Sequence, residues 1–196
     1  MRFARDKRTL NEVPGFTDDD LAKARMGNPQ ALTAMVLAHQ RSVYSLALRM
    51  LGLKDLAEDL AQDVFMQLNS NLSSIESSTH LKFWLRKVTA FRAIDQLRHR
   101  ARVATTSLDE EADLFSTTDA GDPLLQRHVR RLLEELSPPA RAVLLLRFQE
   151  DLDPIDIART LEMPINTVKS HLKRSLEIMR QKSLGVEPRR REDEST

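Results

Sequence analysis

"DPIDIARTLEMPINTVKSHLKRSLEIM", residues 153–179, sets two amphipathic segments on either side of a tight break. Ile155, Ile157, Ala158 and Leu161 make a short amphipathic helix, broken at Glu162-Met163-Pro164 and followed by a longer one. On that second helix Ile165, Val168, Leu172, Leu176 and Met179 recur every three or four positions and form one apolar stripe. Asn166, Lys169, Ser170, Lys173 and Arg174 fall on the other side, and Glu177 is the one acid between Pro164 and Met179. A solvated helix face usually mixes both signs of charge, whereas this one is basic and short-polar. Small Ala158 lets the two helices approach closely, and Val168 and Leu172 close the angle between them. That is the grammar of a helix-turn-helix, whose second helix lies in the DNA major groove. Lys and Arg there reach guanine edges or phosphates, while Asn and Ser read base edges or fix register. The plainer alternative is a three-helix bundle with a charged solvent face. The one-sided charge, combined with the alanine, turn and valine spacing, favours the helix-turn-helix. One rule of that motif is broken, because Glu162 stands at the turn position normally held by glycine. A positive φ at a non-glycine residue costs roughly 1–2 kcal/mol.

Composition sets the limits within which that motif acts. The chain has 196 residues, enough for one or two small domains with real cores. With 30 Lys+Arg against 29 Asp+Glu the net charge is +1, so nucleic-acid binding has to rest on local clustering. There is no cysteine, which excludes a disulfide framework or a thiolate zinc site and fits a reducing cytosol. The five histidines show no metal-ligand spacing. No apolar run approaches the roughly 20 residues that span a bilayer. The start, "MRFARDKRTLNEVPG", lacks the apolar segment of a secretory signal. The expectation is a cytoplasmic protein with no membrane insertion.

Helix punctuation is legible on both sides of the motif. Thr17 caps a short helix opened by Asp18, Asp19 and Asp20, and Gly27 ends it. Asn28-Pro29 starts a long helix running to Leu51, with Gly52 after it. A third helix covers about 54–69, and Ser78 or Thr79 caps a fourth through about 102. Residues 103–123 are rich in Thr, Ser, Asp and Glu and poor in apolar residues, the signature of a linker. Helix returns at about 124–136, then Ser137 caps another that begins at Pro138. No segment alternates with period two, so no sheet is expected. The predicted architecture is all-α: two small helical domains, 17–102 and 124–183, joined by a flexible acidic linker at 103–123. An N-terminal extension, 1–16, and a disordered tail, 184–196, flank them.

Two further surfaces carry chemistry. In "HLKFWLRKVTAFRAIDQLRHRAR", 80–102, Lys82, Arg86, Lys87, Arg92, Arg98, Arg100 and Arg102 face a single acid, Asp95. Leu81, Trp84, Leu85, Val88, Ile94 and Leu97 supply a core stripe. Aromatic residues among cations suit single-stranded or opening DNA, where any base can stack on a ring. Trp84 and Phe91 are also candidates for core packing, and Phe91, three residues from both Val88 and Ile94, is expected to be mainly structural, joining Val88 and Leu97. Just upstream, "KDLAEDLAQDVFMQL", 54–68, sets Glu58, Asp59, Gln62 and Asp63 on neighbouring turns. That face repels DNA and calls for another partner, or for none if it is merely solvated. No His, Ser or glycine-rich constellation accompanies the carboxylates, so no enzyme and no cofactor are expected.

The three segments together resemble the extracytoplasmic-function (ECF) sigma factors of bacterial RNA polymerase. "LAEDLAQDVFMQL", 56–68, looks like the family's polymerase-binding segment. "FWLRKVTAFRAIDQLRHR", 83–100, is similar to its -10 element reader, and residues 136–176 resemble its -35 domain almost end to end. The resemblance implies that Glu58, Asp59, Gln62, Asp63 and Phe65 engage the clamp of the large subunit of core RNA polymerase. It places Asn166, Thr167, Lys169, Ser170, Lys173 and Arg174 on the -35 element of promoter DNA. Lys87, Arg92, Asp95, Arg98 and Arg100 fall to the -10 element, with the preceding loop helping to trap an unpaired base. An anti-sigma factor is a further implied partner. Three departures stand out: Phe91 where the family usually has Asn, Leu56 where the acidic motif usually opens with Asp, and Glu162 at the turn.

A free-standing repressor or activator that dimerises through its N-terminal domain is the alternative. One helix-turn-helix gives little contact area, so such domains usually pair on two half-sites. No dimerisation element follows Met179; the chain instead offers a second basic surface across a tether of about 20 residues. At about 3.5 Å per residue that tether reaches roughly 70 Å extended, against a coil average nearer 25 Å. Two DNA contacts so tethered are best held by a third body, which polymerase supplies.

Overall fold

The computed structural model describes residues 16–103 and 123–183, all of it helix and connecting turns. Eight α-helices follow in order: α1 (Asp18–Arg25), α2 (Pro29–Leu51), α3 (Lys54–Asn71), α4 (Ser78–Val103), α5 (Pro123–Glu134), α6 (Pro138–Phe148), α7 (Pro154–Thr160) and α8 (Ile165–Ser183). A short 3-10 turn, Leu72–Ser74, precedes α4. The 1–15 extension, most of the acidic linker and the 184–196 tail lie outside the described residues.

The helix ends form for the reasons their sequences suggest. Thr17 and Asp20 make a reciprocal capping box, with Thr17 N–H donating to Asp20 Oδ2 at 2.9 Å. Asn28 Oδ1 accepts from the Gln30 and Ala31 amides at 3.0 and 3.1 Å, with Pro29 as the first helical residue. Gly52 closes α2 in the left-handed conformation at φ 78°, its N–H bonded to Leu48 O. A Cβ there would also come within 3.4 Å of the Arg130 and Glu134 side chains of α5, so glycine serves both the turn and the approach of the later helix. Asp153 caps α7 through the Ile155 and Asp156 amides, both at 2.8 Å.

Two caps differ from expectation. The α4 amides are met by Ser77, whose Oγ accepts from His80 N–H at 3.1 Å, and not by Ser78 or Thr79. Three consecutive hydroxyl residues offer near-equivalent caps, and tertiary contacts choose among them. Ser78 is pulled inside the helix because its own N–H donates to Asp18 Oδ1 at 2.7 Å, a bond that also lowers the Asp18 pKa. Ser137 stands at the N-cap position of α6 without a side-chain cap bond.

Helices α1–α4 bundle around Met35, Leu46, Leu60, Val64, Leu68 and Leu81, all at or below 2% exposure. Helices α6–α8 pack around Val143, Leu146, Ile157 and Val168, again fully buried. Each such aliphatic side chain contributes about 1.5–3 kcal/mol by leaving water. The two helical units also pack on each other, α6 lying against both α2 and α4, so a single core runs through both. The Arg141 guanidinium is buried in that seam, donating from Nη1 to Met50 O at 2.5 Å, and burial pushes its pKa down.

His39 is buried on α2, its ring edge-on to Phe16 with centroids 5.6 Å apart. Burial, and then the charges of Lys82 and Arg86 on α4, push its pKa down to about 4. The folded chain keeps a neutral imidazole where the unfolded chain binds a proton. Stability therefore falls as pH drops from about 6.5 toward about 4. Between pH 7 and pH 5 the His39 contribution is a loss of about 1–2 kcal/mol. Urea unfolding at the two pH values checks it, and the His39→Leu chain is expected to lose less by that amount.

Candidate DNA and polymerase interfaces

On α8 the basic face is free of packing. Asn166, Lys169, Ser170, Lys173 and Arg174 are exposed and Thr167 is half-buried at the edge. Ser170 Oγ donates back to Asn166 O at 2.8 Å, which holds the first turn without using the Asn166 side chain. The opposite side is rotated from the stripe read in the sequence. Val168 is fully buried and Leu172, Ile178 and Met179 pack on the core, but Leu176 is 46% exposed and Ser175 is buried in its place. Helical spacing fits either phase, and close approach of α6 and α8 favours the smaller serine. Ile155, assigned to the apolar side of α7, is likewise 51% exposed.

The turn before α8 carries the departure already noted. Glu162 has φ 51°, so the left-handed position exists and a glutamate occupies it at the cost of that strain. Asp151 shares the same φ in the preceding turn, which nothing in the local sequence announced.

On α4 the basic residues divide. Asp95 and Arg98 are exposed and 3.8 Å apart, Arg100 is half-buried, and Arg86 and Lys87 are partly covered. Trp84 packs on the core with Val88 and Leu97. Phe91 does not follow the core reading. It is only partly buried and lies outside the set of side chains packed on the core, although both its expected neighbours belong to that set. The loop before α4 is fixed from α1, by the Asp18–Ser78 bond and by Arg25 Nη2 donating to Ser73 O at 3.2 Å.

On α3, Glu58, Asp59, Gln62 and Asp63 are exposed on one face above buried Ala57, Leu60 and Val64. Phe65 is partly buried and packs on the core, so only part of it faces outward. Asp63 Oδ2 accepts from Arg92 Nη1 at 3.0 Å, and Arg92 Nε donates to Gln67 Oε1 at 3.0 Å. The acidic face of α3 and the basic face of α4 thus meet along one edge, where Arg92 is shared.

Sequence reasoning missed a polar cluster between the units. Glu150, with its side chain 1% exposed, accepts from Arg86 Nε at 2.8 Å and from Ser42 Oγ at 3.4 Å. Gln149 Nε2 donates to Ser45 Oγ at 3.0 Å. Lys87 Nζ meets Glu162 Oε1 at 2.5 Å. Glu150 in "LLLRFQEDLD" carries no local mark of burial that sets it apart from Asp151 and Asp153, because its partners lie 64 and 108 residues away. Among the described residues, no group of three or more His, Asp or Glu could hold a metal ion, and no helix is long and apolar enough to cross a membrane.

An acidic helix face, a basic helix behind a fixed loop, and a helix-turn-helix in that order define a two-part transcription factor. Residues 35–103 match the sigma-70 region 2 family and residues 126–179 match sigma-70 region 4. The chain belongs to the sigma-70 family and, within it, to the ECF sigma factors. It is 26% identical over 176 residues to the ECF RNA polymerase sigma factor SigW of Bacillus subtilis, covering 82% of this chain and 92% of that one. The RNA polymerase sigma factor SigV of the same organism is 27% identical over 158 residues, covering 81% and 94%. Among solved structures, the sigma factor RpoE of Bartonella quintana, crystallised with the anti-sigma factor NepR, superimposes with a TM-score of 0.66 at 25% identity. That match covers 80% of this chain and 98% of RpoE. CnrH, solved with the cytosolic domain of CnrY, shares the fold with a TM-score of 0.64 at 18% identity, over 87% and 99% of the two chains.

Proposed function

We propose that this chain directs core RNA polymerase to promoters, with residues 17–102 binding polymerase and the -10 element and 124–183 binding the -35 element. The observation that carries this reading is the order of the two sigma modules on one chain, each with an exposed charged face suited to its partner. Glu58, Asp59, Gln62 and Asp63 meet the clamp of the large polymerase subunit, with the exposed part of Phe65 beside them. Asn166, Thr167, Lys169, Ser170, Lys173 and Arg174 meet the -35 element in the major groove. Lys87, Arg92, Asp95, Arg98 and Arg100, with the loop fixed by Asp18 and Arg25, meet the -10 element as it opens. Phe91 lies on the same helix and stays accessible enough to stack on a base. The chain has no catalytic role, needs no cofactor and acts in the cytoplasm, where polymerase and DNA are. An anti-sigma factor is its regulatory partner, in keeping with the complexes in which RpoE and CnrH were solved.

Gel filtration of the purified chain with core polymerase tests this. Co-elution is expected, whereas a DNA-binding dimer indifferent to polymerase supports the free-standing repressor. On the DNA side, Lys173→Ala and Arg174→Ala are each expected to weaken -35 binding. A lost phosphate contact flattens the log–log salt dependence by roughly 0.9 for all sequences, and a lost base contact costs about 1–3 kcal/mol and relaxes base preference. Fluorescence anisotropy across a salt series distinguishes the two; unchanged affinity and preference in both variants mark the face as merely solvated.

A further inference from the structure

The charged row of α3 does not consist of charges alone. Asp55, Asp59, Gln62 and Met66 follow one another at helical spacing as exposed residues, with Asp63 beside them and Ser70 one turn further on. Met66 is 64% exposed and is the one exposed large apolar side chain among the described residues of α3. Its neighbour Phe65 packs on the core instead. An apolar side chain set against a polar row has the make-up of a protein contact, where an apolar centre is enclosed by a polar rim and methionine is over-represented.

The chain has seven methionines and no cysteine, so thioethers are its only sulfur. Met1 lies outside the described residues. Met35 and Met50 are sealed in the core at 2% and 0% exposure, while Met163 and Met179 pack against it. That leaves Met66 and Met26, the latter 87% exposed. Met26 caps the end of α1 and is not on α3, so Met66 is the exposed thioether whose chemistry bears on the polymerase face.

We propose that Met66 is an oxidation site through which a peroxide weakens the hold of this chain on core polymerase. The effect on binding rests on the sigma reading, whereas the chemistry rests on exposure. In hydrogen peroxide the thioether sulfur attacks one oxygen. An S–O bond forms as the O–O bond breaks, sulfur is oxidised by two electrons, and the departing hydroxide takes the proton left on the transferred oxygen to become water. The product carries a polar S=O group where an apolar side chain meets polymerase, and covering that oxygen without a donor strips its hydration. Sulfoxide reductases restore the thioether, so the change is reversible. Val64 and Leu68, both fully buried, carry the packing of this part of α3, and the added oxygen leaves the fold intact.

The test exposes the purified full chain to hydrogen peroxide, removes the excess with catalase, and measures affinity for untreated core polymerase. Peptide mass spectrometry should find sulfoxide at Met26 and Met66 well before Met35 or Met50. The treated chain should bind about five- to a hundredfold more weakly than the untreated one, with the same circular dichroism spectrum. Met26→Leu should keep that sensitivity. In Met66→Leu treatment should leave affinity where it started, whatever the starting value, and sulfoxide reductases with dithiothreitol should restore the treated wild-type chain. Oxidation of Met66 no faster than of Met35 and Met50, undiminished binding by a chain carrying the Met66 sulfoxide, or an equal loss in Met66→Leu would overturn the site. Failure of the untreated chain to bind polymerase refutes the sigma reading and this effect with it, and is told apart by needing no peroxide.

Discussion

Reversing the charge of Glu58 and Asp59 together, Glu58→Lys with Asp59→Lys, is expected to abolish binding to core polymerase while the chain stays folded. Both side chains are exposed on α3 above a core that does not depend on them, since Ala57, Leu60 and Val64 carry the packing. Among the described residues, the ion pair lost is the exposed i,i+4 pair of Lys54 with Glu58 at 3.7 Å, worth a few tenths of a kcal/mol. At an interface, by contrast, two reversed charges set like against like, which costs several kcal/mol, about a hundredfold or more in affinity. A pull-down with core enzyme beside a circular dichroism melt tests it. Undiminished capture of a folded double variant removes α3 from the polymerase interface.

The second large effect is expected from Ile157→Ala. This side chain is fully buried where α7 meets α6 and α8, and it seats the helix that reads DNA. Truncation removes buried methyl groups and leaves a cavity, at about 2–5 kcal/mol. Because α7 contacts α4 as well, the loss also loosens the seam between the units. Urea unfolding should show the drop, and -35 binding should weaken far more than polymerase capture, which depends on α3. Equal loss of both activities would mean that the two surfaces do not belong to separable units.

What could be read from sequence follows the range of the interactions involved. Caps and breaks are local, so Thr17, Asn28-Pro29, Gly52 and Pro138 placed helix ends to within a residue or two. The exposed faces of α3 and α8 were also legible, because charge and apolar spacing lie on one helix. Where local signals were degenerate, the reading slipped. Ser77, Ser78 and Thr79 can each cap α4, and an Asp18 bond from another helix decides among them. Leu176 and Ser175 both fit a helical stripe, and only the approach of α6 shows which is inside. Phe91 had the right spacing for the core and is only partly buried. The Glu150 cluster and the buried Arg141 left no local trace at all, since their partners are 64 to 108 residues distant. The site was thus legible as surfaces, and the contact that ties those surfaces together was not.

Promoter choice is the property this chain is proposed to confer on polymerase. The most direct measurement is transcription in vitro from fragmented genomic DNA by core polymerase, with and without the chain, followed by sequencing of RNA 5′ ends. The expected result is a new set of starts that appears only with the chain and shares two upstream motifs at a fixed separation, and that disappears with Glu58→Lys/Asp59→Lys. Identical starts with and without the chain, or fewer starts at sites it binds alone, would contradict it.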